Sequence, residues 1–257
     1  DLGTDGSNPT NLTNVNGTLY FRSDNSYDGT TNVGYGQLWK LDSNDDPSVI
    51  PIGAGINPNA QVDNITLVGT TLFFSAYDAT NGIELWKLDT SGNAVLVKDI
   101  YVGANYSYPD NFFAVGGTLY FTAEDGVKGR ELWKSDGTAT GTVLAKDING
   151  RTLPSNPTNL INVGNTLYFL ADNGVNGQEL WKVDPTTGAP VQLEINSGNQ
   201  PSYVNYLTKV GSKLYFSAYD VTNGYELRKI DTDGSLSRID LGTDGSNPTN
   251  LTNVNGT

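Results

Sequence analysis

Residues 118–136 read TLYFTAEDGVKGRELWKSD, and both halves of this stretch recur along the whole chain. The first half carries a Leu-aromatic-Phe triplet. It is found at Leu19-Tyr20-Phe21, Leu72-Phe73-Phe74, Leu119-Tyr120-Phe121, Leu167-Tyr168-Phe169 and Leu214-Tyr215-Phe216, at intervals of 53, 47, 48 and 47 residues. The second half recurs as Gln37-Leu38-Trp39-Lys40, Glu84-Leu85-Trp86-Lys87, Glu131-Leu132-Trp133-Lys134, Glu179-Leu180-Trp181-Lys182 and Glu226-Leu227-Arg228-Lys229. In four repeats the Phe lies 11 residues before the Leu of the second marker; in the first it lies 17 before, which places a six-residue insertion between Asn25 and Gly36. Self-similarity at a period of this length marks a repeat architecture.

Each repeat reads as four short strands. The first is Asn-rich with an apolar pair three residues apart, such as Leu12 and Val15 or Leu160 and Val163. A Gly turn leads into the Leu-aromatic-Phe strand. A hairpin opened by Asp or Asn and closed by Gly, as at Asp78 to Gly82 or Asp220 to Gly224, leads into the Trp strand. There the opening side chain can bond the backbone, and Gly supplies the positive φ. The fourth strand is expected over 94–100 and 142–148, and a longer connection follows, often through Ser-x-Pro. Four strands per 40–50 residues is the pattern of a propeller blade. The sequence therefore predicts an all-β fold: a five-bladed β-propeller with four antiparallel strands per blade, the first innermost. The units lie near 10–58, 59–106, 107–154, 155–201 and 202–242, within a propeller spanning 1–239. Trp39, Trp86, Trp133 and Trp181 are expected between blades. Arg228 takes that place in the fifth, whose seam should be the weakest or should hold an ion pair.

Composition narrows the chemistry. The 257 residues include 15 Lys+Arg against 28 Asp+Glu, a formal charge of −13, and no Cys, Met or His. Disulfides, thiolate nucleophiles, a Ser-His-Asp triad and ordinary zinc or haem sites are thereby excluded. The acidic balance argues against nucleic acid, and no apolar run is long enough for membrane insertion. Asp1 is not an initiator Met, so the chain is expected to be a piece of a longer protein.

Residues 1–18 (DLGTDGSNPTNLTNVNGT) recur unchanged as 240–257. Both copies fit one slot, the first strand of the first blade. If the ring closes on itself one copy is surplus. If the slot takes a copy from another molecule, or from the next unit of an array, chains link head to tail, and such contacts build fibres unless they close. A tandem duplication, an engineered overlap or a segment cut from a periodic polymer would each give this match. The expected partners are copies of the chain or adjacent repeats, held by strand complementation with Leu12 and Val15, or Leu251 and Val254, anchoring the register.

At Glu131-Leu132-Trp133-Lys134-Ser135-Asp136-Gly137-Thr138 the chain resembles the ELWxxDGT repeat family of large cyanobacterial and myxobacterial proteins. The motif is complete only in this third unit; elsewhere the Asp survives without Gly-Thr, as at Asp42-Ser43 and Asp184-Pro185. The resemblance implies an extracellular or cell-surface location and brings no catalytic residues with it. The cycle is also similar in size to five-bladed lectins of the tachylectin type, whose sugar-binding motif is not recognisable here.

The remaining candidates are weighed by chemistry. Glu84, Glu131, Glu179 and Glu226 recur at one position, whereas catalytic carboxylates work as unlike pairs. They read as structural, and the chain is expected not to be an enzyme. Asp42, Asp89, Asp136, Asp184 and Asp231, each two residues after a Lys, read as turn openers. Asp231 and Asp233 are weak calcium candidates outside any EF-hand pattern, so no metal or other cofactor is assigned. Tyr101, Tyr106, Tyr108, Tyr203 and Tyr206 lie in or beside the connections, among Asn and Ser, and would suit cell-surface glycans. The expected role is a structural and adhesive module of an extracellular bacterial repeat protein, with a glycan-binding propeller as the alternative.

Overall fold

The computed structural model describes residues 8–24, 36–54, 57, 59–150, 153–196, 200–242, 245–254 and 256. The predicted insertion falls on 25–35, outside the described residues, as do Ser7 and parts of both copies of the duplicated segment. The described chain is all β, with twenty strands in five four-stranded sheets and no helix. Within each sheet the strands lie in chain order.

One compact unit comprises residues 1–127 and 133–144. It holds the first sheet, β1 (Thr10–Val15), β2 (Thr18–Ser23), β3 (Gln37–Leu41) and β4 (Pro47–Val49). It also holds the second, β5 (Asp63–Val68), β6 (Thr71–Asp78), β7 (Gly82–Leu88) and β8 (Ala94–Lys98). The third sheet, β9 (Asp110–Val115), β10 (Thr118–Glu124), β11 (Arg130–Ser135) and β12 (Val143–Lys146), belongs mostly to it. Strands β6 and β7 are buried on both faces, so their side chains alternate between two cores. Leu72, Phe74 and Trp86 join Tyr20, Leu38 and Ile50 of the first sheet, while Phe73 and Leu85 join Leu119, Phe121 and Trp133 of the third. Trp86 and Trp133 thus sit in cores shared by neighbouring sheets.

The other unit comprises residues 128–132 and 145–257. It holds the fourth sheet, β13 (Thr158–Val163), β14 (Thr166–Asp172), β15 (Gln178–Val183) and β16 (Pro190–Gln192), and the fifth, β17 (Asn205–Val210), β18 (Lys213–Asp220), β19 (Gly224–Ile230) and β20 (Leu236–Ile239). Their shared core gathers Val163, Tyr168, Leu170 and Leu180 against Val204, Leu214 and Phe216. Trp181 stacks on Phe169 and donates its indole N–H to the Ala171 carbonyl at 3.2 Å.

The Asn-rich first strands have a conformational cause. Each is bulged in its pairing with the second strand, as between Thr10 and Thr13 or Asp63 and Thr66. At the bulge stand Asn11, Asn64, Asn111, Asn159 and Tyr206, with φ of 55°, 56°, 55°, 53° and 59°. Asn tolerates the left-handed region because its short side chain bonds locally; most other residues do not. Asn64 donates to Ser75 Oγ at 3.3 Å and Asn111 to Thr122 Oγ1 at 3.3 Å, tying the bulge to the next strand.

The expected ion pair in the fifth sheet is present. Arg228 is 8% exposed and its guanidinium holds the Asp220 carboxylate, which also caps the hairpin by accepting from the Thr222 and Asn223 amides. In the second sheet Asp78 caps the same turn with Trp86 in the Arg228 position. The turn therefore does not need the cation. Arg228→Ala should destabilise the chain by about 3 kcal/mol by stripping a buried carboxylate of its partner. Arg228→Trp should be neutral or stabilising by about 1 kcal/mol, because it rebuilds the second sheet's arrangement. Urea denaturation of both variants checks this; equal losses would show that the pair, not the packing, holds the seam.

Candidate functional site

The Trp strands of the second, third and fourth sheets each carry a buried acid near their start, and each acid is met by the opening of the next repeat. Glu84 Oε2 accepts from the Ile100 amide at 2.9 Å and from Ser107 Oγ at 2.6 Å. Its Oε1 accepts from the Ser107 amide at 3.1 Å and the Tyr101 amide at 3.4 Å. Glu131 takes the Ile148 amide at 3.2 Å, the Ser155 amide at 2.9 Å and Ser155 Oγ at 2.5 Å. Glu179 accepts from the Ser202 amide at 3.0 Å and from Ser202 Oγ. In the first sheet the pair is replaced by Gln37 and Ala60, and Gln37 Nε2 donates to the Asn57 carbonyl at 3.3 Å. The Ser carbonyl then accepts from the second strand of its own repeat, Glu124 N to Ser107 O at 2.9 Å and Asp172 N to Ser155 O at 2.8 Å. One serine thus staples two sheets. These bonds also shorten the fourth strands, expected over 94–100 and 142–148 but ending at Lys98 and Lys146, because the amides of Ile100 and Ile148 turn to the carboxylates.

The duplicated segment completes the series. Ser246 Oγ donates to Glu226 at 2.9 Å and the Asn247 amide to the Tyr225 carbonyl at 3.1 Å, as Ser107 and Asn156 do in their seams. Farther along, Thr208 Oγ1 donates to the Leu251 carbonyl at 3.2 Å and Asn253 Nδ2 to the Lys209 carbonyl at 2.8 Å. Residues 245–254 therefore lie along the fifth sheet where the first strand of a following repeat belongs. The two copies occupy different environments. In the N-terminal copy β1 pairs with β2, Val15 packs on the first core and Leu12 is 61% exposed. In the C-terminal copy Leu251 is half-buried and Val254 is 63% exposed. Interior repeats satisfy both positions at once: Ile65 packs on a core and Val68 is buried.

The tyrosines fall into two groups, one in each unit. Tyr106 packs edge-on against Tyr77 and Tyr108, at ring separations of 5.9 and 5.4 Å. Tyr203 packs on Tyr219 and Tyr225, at 6.1 and 6.5 Å. Tyr206 borders a cavity of about 210 Å³ shared with Asn205, Ser217, Tyr225, Asn247, Pro248 and Thr249. Tyr101 belongs to neither group, because its ring covers Gly126, where a Cβ would come within 2.4 Å of it. Tyr77, Tyr219 and Tyr225 were not singled out by sequence, although Tyr77 and Tyr219 share the repeated Ser-Ala-Tyr-Asp of 75–78 and 217–220.

The two calcium candidates have protein partners. Lys213 and Lys229 bind Asp231 at 2.8 and 2.6 Å and hold its carboxyl below the usual carboxylate range, while Asp233 accepts from Ser235 N and Oγ at 2.9 and 2.6 Å. Among the described residues no group of three or more Asp and Glu is placed to hold a metal ion.

Neither a protein-family model nor a curated protein matches the chain. Solved structures do. Virginiamycin B lyase from Staphylococcus aureus shares 15% identity at a TM-score of 0.49, over 92% of this chain and 71% of that one. A structure from a study of two prolyl endopeptidases shares 12% identity at 0.53, over 86% of this chain and 33% of that one. TolB from Acinetobacter baumannii shares 14% identity at 0.41, over 80% and 49%. The chain spans only a third of the endopeptidase and half of TolB. At such identities the likeness shows a β-propeller-like all-β fold and nothing of activity. It corrects one expectation. The endopeptidase structure carries this fold within an enzyme, so the expectation that the chain is not an enzyme is withdrawn, and the repetition of Glu84, Glu131, Glu179 and Glu226 is no ground for excluding catalysis.

The latch makes stability depend on pH. Burial pushes the Glu84 carboxyl up to about 7 from 4.5, against the pull of Ser107 and the backbone amides. A raised pKa means that the folded state holds a proton the unfolded chain has lost. The stabilisation is full below the unfolded value and falls as pH rises to the folded one. Glu84→Gln removes the titration, and Gln37 already fills the equivalent place in the first sheet. Between pH 4.5 and about 8 the variant should gain on the parent by up to about 3 kcal/mol in urea unfolding. A constant offset between the two across that range would show that Glu84 does not hold the proton.

Proposed function

We propose that the chain is a structural and adhesive module of an extracellular bacterial repeat protein, and that its copies link head to tail by β-strand complementation. The five sheets are the blades of a five-bladed propeller, related in sequence to the ELWxxDGT repeats. The observation that carries this reading is the division of one seam between two identical segments. The N-terminal copy has the pairing partner and leaves Leu12 out; the C-terminal copy has the docking surface and leaves Val254 out.

A single segment that paired with β2 of one molecule while docked on the fifth sheet of another would bury both residues. It would also keep the latch from Ser246 to Glu226. Backbone hydrogen bonds then supply affinity, and the Leu and Val pockets supply register. A shift of one residue would turn every side chain to the wrong face. A formal charge of −13 sets like-charged molecules apart until the specific strand contact forms.

The test compares residues 1–257 with a chain ending at 239, by light scattering after size exclusion and by negative-stain microscopy. The longer chain is expected to give concentration-dependent oligomers or filaments and the shorter one discrete particles with the same circular dichroism. Monomers from both would overturn strand linkage.

A further inference from the structure

We propose that the cavity between the fifth sheet and the duplicated segment is a binding site for a neutral sugar ring. At the equivalent place in the second sheet an amide spans the gap, and the difference can be read residue by residue. There Asn64 stands at the bulge, and its carboxamide N–H spans the gap to Ser75 Oγ at 3.3 Å and to the Pro109 carbonyl at 3.2 Å. The amide plugs the seam. In the fifth sheet the corresponding residues are Tyr206, Ser217 and Pro248. A phenol ring cannot make the Asn bridge, and a cavity of about 210 Å³ remains between Tyr206, Tyr225, Ser217, Pro248 and their neighbours.

This exchange carries a conformational penalty. Tyr206 has φ of 59° where the other four repeats hold Asn, and Tyr203 has φ of 41° at a position that holds Asn, Gln or Tyr elsewhere. Tyr lacks the short amide that makes the left-handed region tolerable, so each such residue costs on the order of 1 kcal/mol. Tyr203 recovers packing from Tyr219 and Tyr225. Tyr206 stays 42% exposed and faces the cavity. Strain of this sort, kept for an exposed aromatic beside a cavity, is characteristic of binding sites.

The lining fits a pyranose. Tyr206 and Tyr225 offer aromatic surface for the C–H face of a ring. Ser217 offers a hydroxyl and Pro248 a carbonyl, the two groups that the Asn amide joins in the second sheet, and ring hydroxyls can donate to both. Asn205, Asn247 and Thr249 add polar groups at the rim. None of the seven lining residues carries a full charge, which favours a neutral sugar over an acidic one.

Part of the wall comes from Asn247, Pro248 and Thr249 of the duplicated segment, which is identical to Asn8, Pro9 and Thr10. The site therefore forms whether the slot is filled by the chain itself or by a neighbour. Sugar binding and strand linkage can fail separately.

The test applies the full chain to an array of immobilised neutral glycans, with saturation-transfer NMR on free hexoses and N-acetylhexosamines. Wild type is expected to bind a subset of them. Tyr206→Asn restores the plug and should weaken binding by about tenfold or more while raising the melting temperature, since it relieves strain and adds the bridge. Tyr225→Ile is the second variant, because Ile83 stands at that position in the second sheet; it should keep the fold and also weaken binding. Absence of binding by wild type in both assays, or equal binding by all three proteins, would overturn the proposal.

Discussion

A carboxylate buried in an apolar seam must be surrounded by donors, and in this chain no sheet can supply them alone. Glu84, Glu131 and Glu179 are almost fully buried, and each takes its hydroxyl from a serine 23 or 24 residues onward, in the next repeat. A buried acceptor left unmet costs about 1–3 kcal/mol, more if it is charged. The second, third and fourth repeats are therefore unfinished units, each completed by its successor. The same serine bonds the second strand of its own repeat through its carbonyl, so the latch also sets where the next sheet begins.

The fifth sheet has the same requirement. The fifth sheet carries Glu226, 1% exposed, and nothing within its own four strands plays the part of Ser107 or Ser155. Residues 245–254 meet it by bringing Ser246 and a length of backbone onto β17 and β19. Gln37 shows the other solution, at the first sheet. An amide there bonds a neighbouring carbonyl and needs no serine, and Ala60 accordingly stands in the serine position.

Much of this could be read from the repeat. The two markers gave the central strands, because Leu-aromatic-Phe and Glu-Leu-Trp-Lys are apolar on both faces and hold a constant spacing. A weak seam or an ion pair at Arg228 followed from the missing Trp, and the structure holds the ion pair. The latch was not legible. The acid was recognised as structural, but its serine is separated from it by a strand and a long connection, and periodicity does not say which connection residue folds back. The left-handed Asn positions were visible only as composition. That Tyr203 and Tyr206 share their backbone conformation, and that Tyr206 thereby opens a cavity, is a matter of φ angles that no hydrophobic pattern encodes. Tyr225 was hidden because a strand tyrosine reads as core. The exclusion of enzymes failed for a different reason: it rested on the repeated Glu and on the lack of carboxylates in the predicted first strands, which bear on those residues and not on the rest of the fold.

Burial divides the duplicated strand into two kinds of contact, and the division says what each can contribute to assembly. Leu12 and Val254 are each more than half exposed, and full burial of such side chains is worth about 1.5–3 kcal/mol apiece. Association of two molecules costs at least about 4 kcal/mol in lost freedom. The two side chains alone would barely offset that. On the proposed linkage the remainder would come from the serine latch, seen after the second, third and fourth sheets, the amide beside it and the ladder to the second strand. The amide and the ladder are main-chain interactions, and they persist in interior repeats whose first strands differ in sequence. On the proposed linkage, an identical copy offers the same Ser, Leu and Val both to the pairing with β2 and to the fifth sheet, so one segment suits both places.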